Sequence, residues 1–354
     1  MLLSSFSYKE SRWELSSLTL DNSPCLIVGR NSSGKTRTIH ALQNVVSFMQ
    51  MKQMFFLDSN SFSAEMVFKD ELDFNYKMNY SFTVKDGIID KESLIVNDEV
   101  LIRRTSKTAK YKSDVINPPT NRLIVQVRRD KNAYPEIEKL MIWAEGVNCV
   151  SCSDINPFTI ISPSRFINPF SFSELVDSLD NEDKNCVLKN ASKLDYNITS
   201  ISTLKASENL KFVNVKEKLV SENIIDMQLS SGMLRTLYLL CYMVYIKKNS
   251  KASLLLIDDM SEGLDYSRSI RLGRMIFDDC RENCLQVISS SNDAFLMDVV
   301  DISNWQILRR VGSKVTSINQ FTNPDLFRKF KMTGLSNFDF FSSDFIDKHL
   351  SKGE

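Results

Sequence analysis

The chain has 354 residues with 44 basic and 44 acidic side chains, so no global charge draws it to nucleic acid or an anionic membrane. Its length allows about two domains, or one domain with a large insertion. No apolar stretch reaches the roughly 18 residues of a membrane span, and Lys9, Glu10 and Arg12 interrupt any signal-peptide core, so a cytoplasmic protein is expected. Seven cysteines without a secretory signal should be reduced. Cys149 and Cys152 form a C-x-x-C with no second pair, and the two histidines, His40 and His349, stand far away, so no zinc site is expected.

Two alternating segments, Leu3 to Tyr8 and Trp13 to Leu20, predict strands. Cys25 to Val28 is a short apolar run of buried-strand type, followed by Gly29 to Thr36, which fits the phosphate-loop pattern G-x-x-x-x-G-K-[ST] without a mismatch. A helix should follow at once, because Ile39, Leu42, Val45, Val46 and Met49 recur at three- and four-residue spacing. In this P-loop, Gly29, Arg30, Asn31, Ser32, Ser33 and Gly34 curl the backbone so that N–H groups face a β-phosphate at the positive end of the helix. Lys35 adds a charge for the β- and γ-phosphates, and Thr36 a hydroxyl for Mg²⁺, so ATP and Mg²⁺ are the expected cofactors.

An antiparallel β-subdomain is predicted next, from Ala64 to Phe68, Phe74 to Val84, Ser93 to Val96 and Glu99 to Arg103, with hairpin turns at Asp86-Gly87 and Asn97-Asp98. Residues 103 to 131 gather Arg103, Arg104, Lys107, Lys110, Lys112, Arg122, Arg128, Arg129 and Lys131, a patch through which nucleic acid could bind, although most such clusters are solvated faces. Arg122 to Val127 is expected to be a strand. A second lobe then begins with a helix at Ile137 to Trp143 and punctuation at Pro157 and Pro163. Helices at Ser171 to Leu179 and Asp183 to Leu194, and strands at Ile198 to Leu204 and Leu210 to Val215, complete it. No sustained heptads occur, so no coiled-coil arm is expected.

From Gln228 to Arg235 a polar loop opens into Leu234 to Ile246, a helix apolar enough to be buried. Ser253 to Ile257 forms an apolar strand ending in Asp258-Asp259, where carboxylates can meet Mg²⁺ and water. Glu262 to Asp265 is a turn before a helix at Ser267 to Cys280. A last strand, Leu285 to Ser289, runs into Ser290-Ser-Asn-Asp293 and a short helix at Ala294 to Val300. In a chain with ten glycines, Gly29, Gly34, Gly232 and Gly263 all fall in these segments, marking places where backbone approaches something closely.

This motif series resembles ABC-type ATPases of the SMC, RecF and OLD group, AAA family ATPases in the broad sense, as found in prokaryotic phage-defence modules. Gly29-Arg30-Asn31 fits this group better than transporter ATPases, and the resemblance covers roughly residues 1 to 130 and 225 to 320. It implies an α/β fold: an ABC-ATPase core of the RecA-like P-loop type, with the antiparallel β-subdomain and an inserted mixed α/β lobe. Residues 1–130 and 226–320 would form the two halves of the ATPase lobe, 131–225 the insertion and 321–354 a C-terminal tail. Ser230, Ser231 and Gly232 match the signature motif, which in the family caps the γ-phosphate held by a partner subunit. Leu254 to Asp259 match the Walker B strand and Glu262 to Asp265 the D-loop. An ATP-sandwich homodimer with head-to-tail sites follows, with Thr36, Asp258 and Gln126 as Mg²⁺ ligands or sensors and Asp259, Asn292 and Lys35 as catalytic residues.

Two positions depart from the family. Asp259 stands where glutamate is usual and Asn292 where histidine is common; the shorter acid and the non-titrating amide predict slow turnover. The stretch after Gln320 is too short for a nuclease or toxin fold of ordinary size, so a separate effector protein is the expected partner, with the second lobe and a tail bearing Phe338, Phe340, Phe341 and Phe345 as docking surfaces. The alternative is a RecF-like ATPase that closes on DNA directly.

Overall fold

A computed structural model describes residues 1–20, 23–52, 60–70, 72–73, 75–155, 168–208, 210–249, 252–343 and 345–350. The chain divides into two units: residues 1–147, 302–335 and 339–354 form the first, and 148–301 with 336–338 the second. The expected insertion therefore does not stand alone. Its first helix belongs to unit 1, and the rest shares unit 2 with the signature and Walker B segments.

Unit 1 begins with β1 (Leu2–Glu10), β2 (Glu14–Thr19) and β3 (Cys25–Val28), then α1 (Lys35–Met49). The β-subdomain follows as β4 (Phe62–Lys69), β5 (Lys77–Lys85), β6 (Ile88–Val96), β7 (Glu99–Arg104), β8 (Ala109–Tyr111) and β9 (Asp114–Val115). The hairpins turn where expected. Asp86, Gly87, Asn97 and Asp98 all have positive φ, the geometry of two-residue turns whose twist matches the strands. Phe74, Pro157 and Pro163 lie outside the described residues.

Alternation along β1, β4 and β5 puts Tyr8, Phe62 and Phe82 on one inner face. Phe48 of α1 lies on that face, its ring 5.4 Å from Phe62 and 5.6 Å from Phe82. Burying each such ring contributes about 1.5–3 kcal/mol, so this layer anchors α1 and the loop that precedes it.

Arg122 to Val127 is not a strand. Residues Ile124–Val127 form a short helix, α2, because Glu92 of β6 meets its start: one carboxylate oxygen accepts Ile124 N–H at 2.7 Å, the other Val125 N–H at 3.3 Å. A buried acid with backbone donors to satisfy overrides the β propensity of Ile and Val. Burial pushes Glu92 up to about 7, against those hydrogen bonds and the nearby Arg104 guanidinium. Helix α3 (Pro135–Glu145) then sets Trp143 against Phe68 at 4.7 Å.

Unit 2 takes up the chain at β10 (Val147–Ser151), with α4 (Phe172–Asp177), α5 (Asn181–Lys193), β11 (Ile198–Ser207), β12 (Leu210–Glu217) and β13 (Ile224–Ile225). Ser171 and Asp180 cap α4 and α5, each paired with an acid three residues on. Next come α6 (Ser231–Asn249), β14 (Leu254–Asp258), α7 (Tyr266–Glu282), β15 (Gln286–Ser290) and α8 (Ala294–Val299). Within this unit β14 lies between β10 and β15 and pairs in parallel with β15, while β11, β12 and β13 form a separate antiparallel sheet. Helix α6 is buried on nearly every side, as its composition predicts.

The chain returns to unit 1 through β16 (Trp305–Val311), β17 (Lys314–Ile318) and α9 (Pro324–Lys331). It ends in α10 (Asn337–Ser342), which starts in unit 2, and α11 (Phe345–Leu350). Strand order in unit 1 is β3-β16-β17-β2-β1-β4-β5-β6-β7-β8-β9; β16 runs parallel to β3 and β17 parallel to β2, and the other neighbouring pairs are antiparallel. Of the tail aromatics Phe340 is core, while Phe338, Phe341 and Phe345 are half-buried. Phe340 is fully buried against Phe327, Phe330 and Trp305, and Phe345 packs on Phe330. Among the described residues no helix is long and apolar enough to cross a membrane.

Candidate functional site

In unit 1 the P-loop joins β3 to α1. Val28 is fully buried and Arg30, Asn31 and Ser32 are exposed, so the chain leaves the core at Gly29 and presents its loop to solvent. Ser32 and Gly34 take positive φ, 64° and 103°, and Gly34 serves as N-cap of α1. A side chain at Gly34 would be strained by that backbone alone. The next residue, Lys35, is 6% exposed and turns back into the loop, its ammonium donating to Gly29 O at 2.8 Å and Arg30 O at 3.4 Å. The loop thus encloses a positive charge at the start of a helix, where unpaired N–H groups also point. Ser33 Oγ is buried without a hydrogen-bond partner among the described residues. Thr36 is exposed on the first turn. A loop with these donors fits a polyphosphate.

The turn between β1 and β2 backs this loop, a role that composition and spacing do not reveal. Trp13, fully buried, lies against Gly34, and Arg37 sits 5.4 Å from the Trp13 ring while pairing with Glu10. Next to β3, strand β16 delivers Arg309 and Arg310 beyond the end of the parallel pair.

In unit 2 the carboxylates stand at the end of β14. Asp258 is fully buried and accepts the Ser290 hydroxyl; Ser290 Oγ in turn accepts Asp259 N–H at 3.1 Å. Ser290 therefore ties the ends of β14 and β15, and sequence reading gave it no role. Asp259 is half-buried with φ of 52°, so it is the acid of the pair that water reaches. Asn292 is exposed, and the adjoining Asp293 caps α8 through Phe295 N–H. Cys152 N–H donates to Asp258 O at 2.9 Å, which explains the C-x-x-C segment as support for this strand end. Burial raises both Cys149 and Cys152 thiols, and no metal-binding group of three or more His, Cys, Asp or Glu occurs among the described residues.

The signature loop leads into α6. Ser230 caps the helix, its hydroxyl accepting Met233 N–H at 3.3 Å, and Ser231 is exposed at the first turn. Gly232 is required by a contact inside the chain: a Cβ there would stand 2.6 Å from Gly263 O of the D-loop. Arg235, one turn further, donates to Glu262 O at 3.1 Å and Ile155 O at 3.4 Å. Asp265 caps α7 through Arg268 N–H at 3.0 Å, and this bond, with the Arg268 guanidinium, holds its carboxyl below the usual range.

Gln126 does not stand ready for a metal. Its amide oxygen accepts Leu123 N–H at 2.9 Å and its amide nitrogen donates to Phe48 O at 2.6 Å, so it closes α2 onto α1. The basic patch is also thinned. Arg104 is buried among the carbonyls of Pro119, Thr120 and Arg122, Arg129 pairs with Glu138 and Glu145, and Lys112 pairs with Glu99.

No protein-family model and no curated protein matches the chain. Solved structures do. The chain is similar to the Smc head bound to the C-winged helix domain of ScpA, with TM-score 0.56 and 14% identity over 90% of this chain and 98% of that one. It is also similar to an SMC head domain from Thermotoga maritima, with TM-score 0.50 and 12% identity over 90% and 99% of the two chains. A third is the Smc head with an extended coiled coil bound to the C-terminal domain of ScpA from Pyrococcus furiosus, with TM-score 0.55 and 12% identity over 93% and 99%. At such identities the likeness carries the architecture, and the chain has the fold of an Smc head domain.

Proposed function

We propose that this protein is an ATP-driven switch of the ABC type, which binds ATP with Mg²⁺ at the P-loop, pairs head to tail with a second copy, and hydrolyses the nucleotide slowly. The observation that supports it most is the P-loop itself, with Lys35 turned into its own loop at the start of α1, on the fold of an Smc head. In this reading Thr36 and Asp258 hold Mg²⁺, Asp259 receives the proton of the attacking water, Asn292 orients it, and Ser230 and Ser231 present the start of α6 to the partner's nucleotide. Two of the similar Smc heads are bound to a domain of another protein, ScpA, and for this chain the corresponding partner is proposed to be an effector, a nuclease or toxin controlled in anti-phage defence.

The test is complementation. Lys35→Ala removes the phosphate charge, and Ser231→Glu places a carboxylate at an exposed position of the signature without entering the core. Each variant alone should lack ATPase activity. Mixed, they should regain part of it, because a mixed dimer keeps one intact composite site. A mixture as inactive as its parents, with mixed dimers shown to form, would sink the paired-site reading.

A further inference from the structure

Ile307 of β16 stands opposite Val28 of β3 in the parallel pair, so the residues after it run alongside the P-loop. Leu308 O comes within 3.1 Å of where a Cβ on Gly29 would lie. Arg309 follows, at the carboxyl end of parallel strands, where open α/β sheets hold ligands. Here a cavity of about 510 Å³ opens, lined by Arg30 to Ser33 of the loop, by Arg309, and by Ile346 and Asp347 of α11. That is the size of a small-molecule site. The Asp347 carboxylate sits at its rim, one oxygen 2.8 Å from the Arg309 guanidinium and the other 3.6 Å from Arg30. In the same wall the buried Ser33 hydroxyl has no hydrogen-bond partner among the described residues.

We propose that Arg309 is a phosphate-binding residue of the nucleotide site, and that Asp347 on the C-terminal helix occupies it as an intrachain stand-in for the nucleotide's anionic oxygens. An arginine pair sharing one carboxylate beside a phosphate loop is chemically suited to a polyphosphate, whose oxygens compete for the same N–H donors. Nucleotide binding then means exchanging one anion for another, and α11 is loosened as the nucleotide enters. The inference rests on reading the P-loop as a nucleotide site.

Opposite signs separate this from a merely structural ion pair. If the pair only fastens α11, Arg309→Ala and Asp347→Asn both break it and should shift nucleotide affinity the same way. If Arg309 binds phosphate and Asp347 competes, the first weakens affinity and the second strengthens it. With the full chain, ATP and Mg²⁺ in titration calorimetry, each change should be about two- to fivefold, as expected for partly exposed charges. Arg309→Lys should recover part of the loss, and salt should shrink all of these differences. Changes in the same direction, or an Asp347→Asn variant with unaltered affinity, would overturn the proposal. Lys35→Ala is the control for the reading beneath it: if that variant binds ATP as the wild type does, the P-loop assignment fails. If it does not bind while Arg309→Ala and Asp347→Asn move together, only the role of Arg309 and Asp347 fails.

Discussion

The phosphate loop and the signature loop both join a glycine to a helix start, yet their glycines answer to different things. At the P-loop the conformation of one segment suffices: Gly34 needs its positive φ, and Lys35 finds its partners at Gly29 and Arg30 a few residues away. At the signature, Gly232 is needed because Gly263, some thirty residues later, brings its carbonyl to within 2.6 Å of a would-be Cβ. A glycine beside a helix N-terminus is therefore not by itself a sign of ligand approach. At Gly34 the decisive constraint is the backbone of its own segment, whereas at Gly232 it is a carbonyl brought in by the fold.

Three experiments press on this contrast. The largest effect is expected from Lys35→Ala, which should lower ATP affinity by roughly 100-fold, since hydrogen bonds to charged groups contribute about 1.5–3 kcal/mol each. The thermal transition should move far less, because the fold loses polar contacts such as those to Gly29 O and Arg30 O while the apolar face of α1 stays packed. Nucleotide titration beside a melting curve separates the two, and equal losses in both would erase the distinction between the loops.

Gly232→Ala should show the reverse pattern. Overpacking against the Gly263 backbone costs about 1–3 kcal/mol, so the melting temperature should drop clearly, whereas Ser231→Ala, exposed one residue earlier, should leave it unchanged. An unaltered melting temperature in Gly232→Ala would mean that the α6 start and the D-loop are not packed as described.

The smallest effect belongs to the D-loop cap. Asp265→Ala should cost about 1 kcal/mol through loss of the bond to Arg268 N–H. Because the folded state holds the Asp265 carboxyl below its unfolded value, the stability it adds is present above the unfolded pKa and lost as pH falls through the folded one. Acid melting curves of the wild type and Asp265→Ala should therefore converge below about pH 4. Curves that stay parallel would assign the cost to something other than the ionised cap.

Much of the architecture was legible in the residues. Period-two alternation in β4 to β7 and turn pairs at Asp86-Gly87 and Asn97-Asp98 predict the antiparallel subdomain, the apolar run before Gly29 predicts β3, and the three- and four-residue spacing from Ile39 to Met49 predicts α1. These features depend on neighbours within a few residues, where backbone sterics and side-chain alternation decide. Arg122 to Val127 shows the limit. Its composition favours a strand, but Glu92, thirty residues earlier, offers a buried carboxylate that two N–H groups satisfy only as a helix start. The tail aromatics show it too, since a dense run of Phe reads equally as display or core until Phe327, Phe330 and Trp305 are seen around Phe340.

By itself, then, the sequence determined the phosphate loop, its strand and helix, and the order of the motifs, because each is a contiguous stretch whose geometry follows from its own backbone. Only the tertiary structure decided what Gly232 approaches, what Gln126 does with its amide, and that Arg309 and Asp347 meet beside Arg30. Those outcomes join residues far apart in the chain, and such pairings are set by how faces pack and where charges must be neutralised.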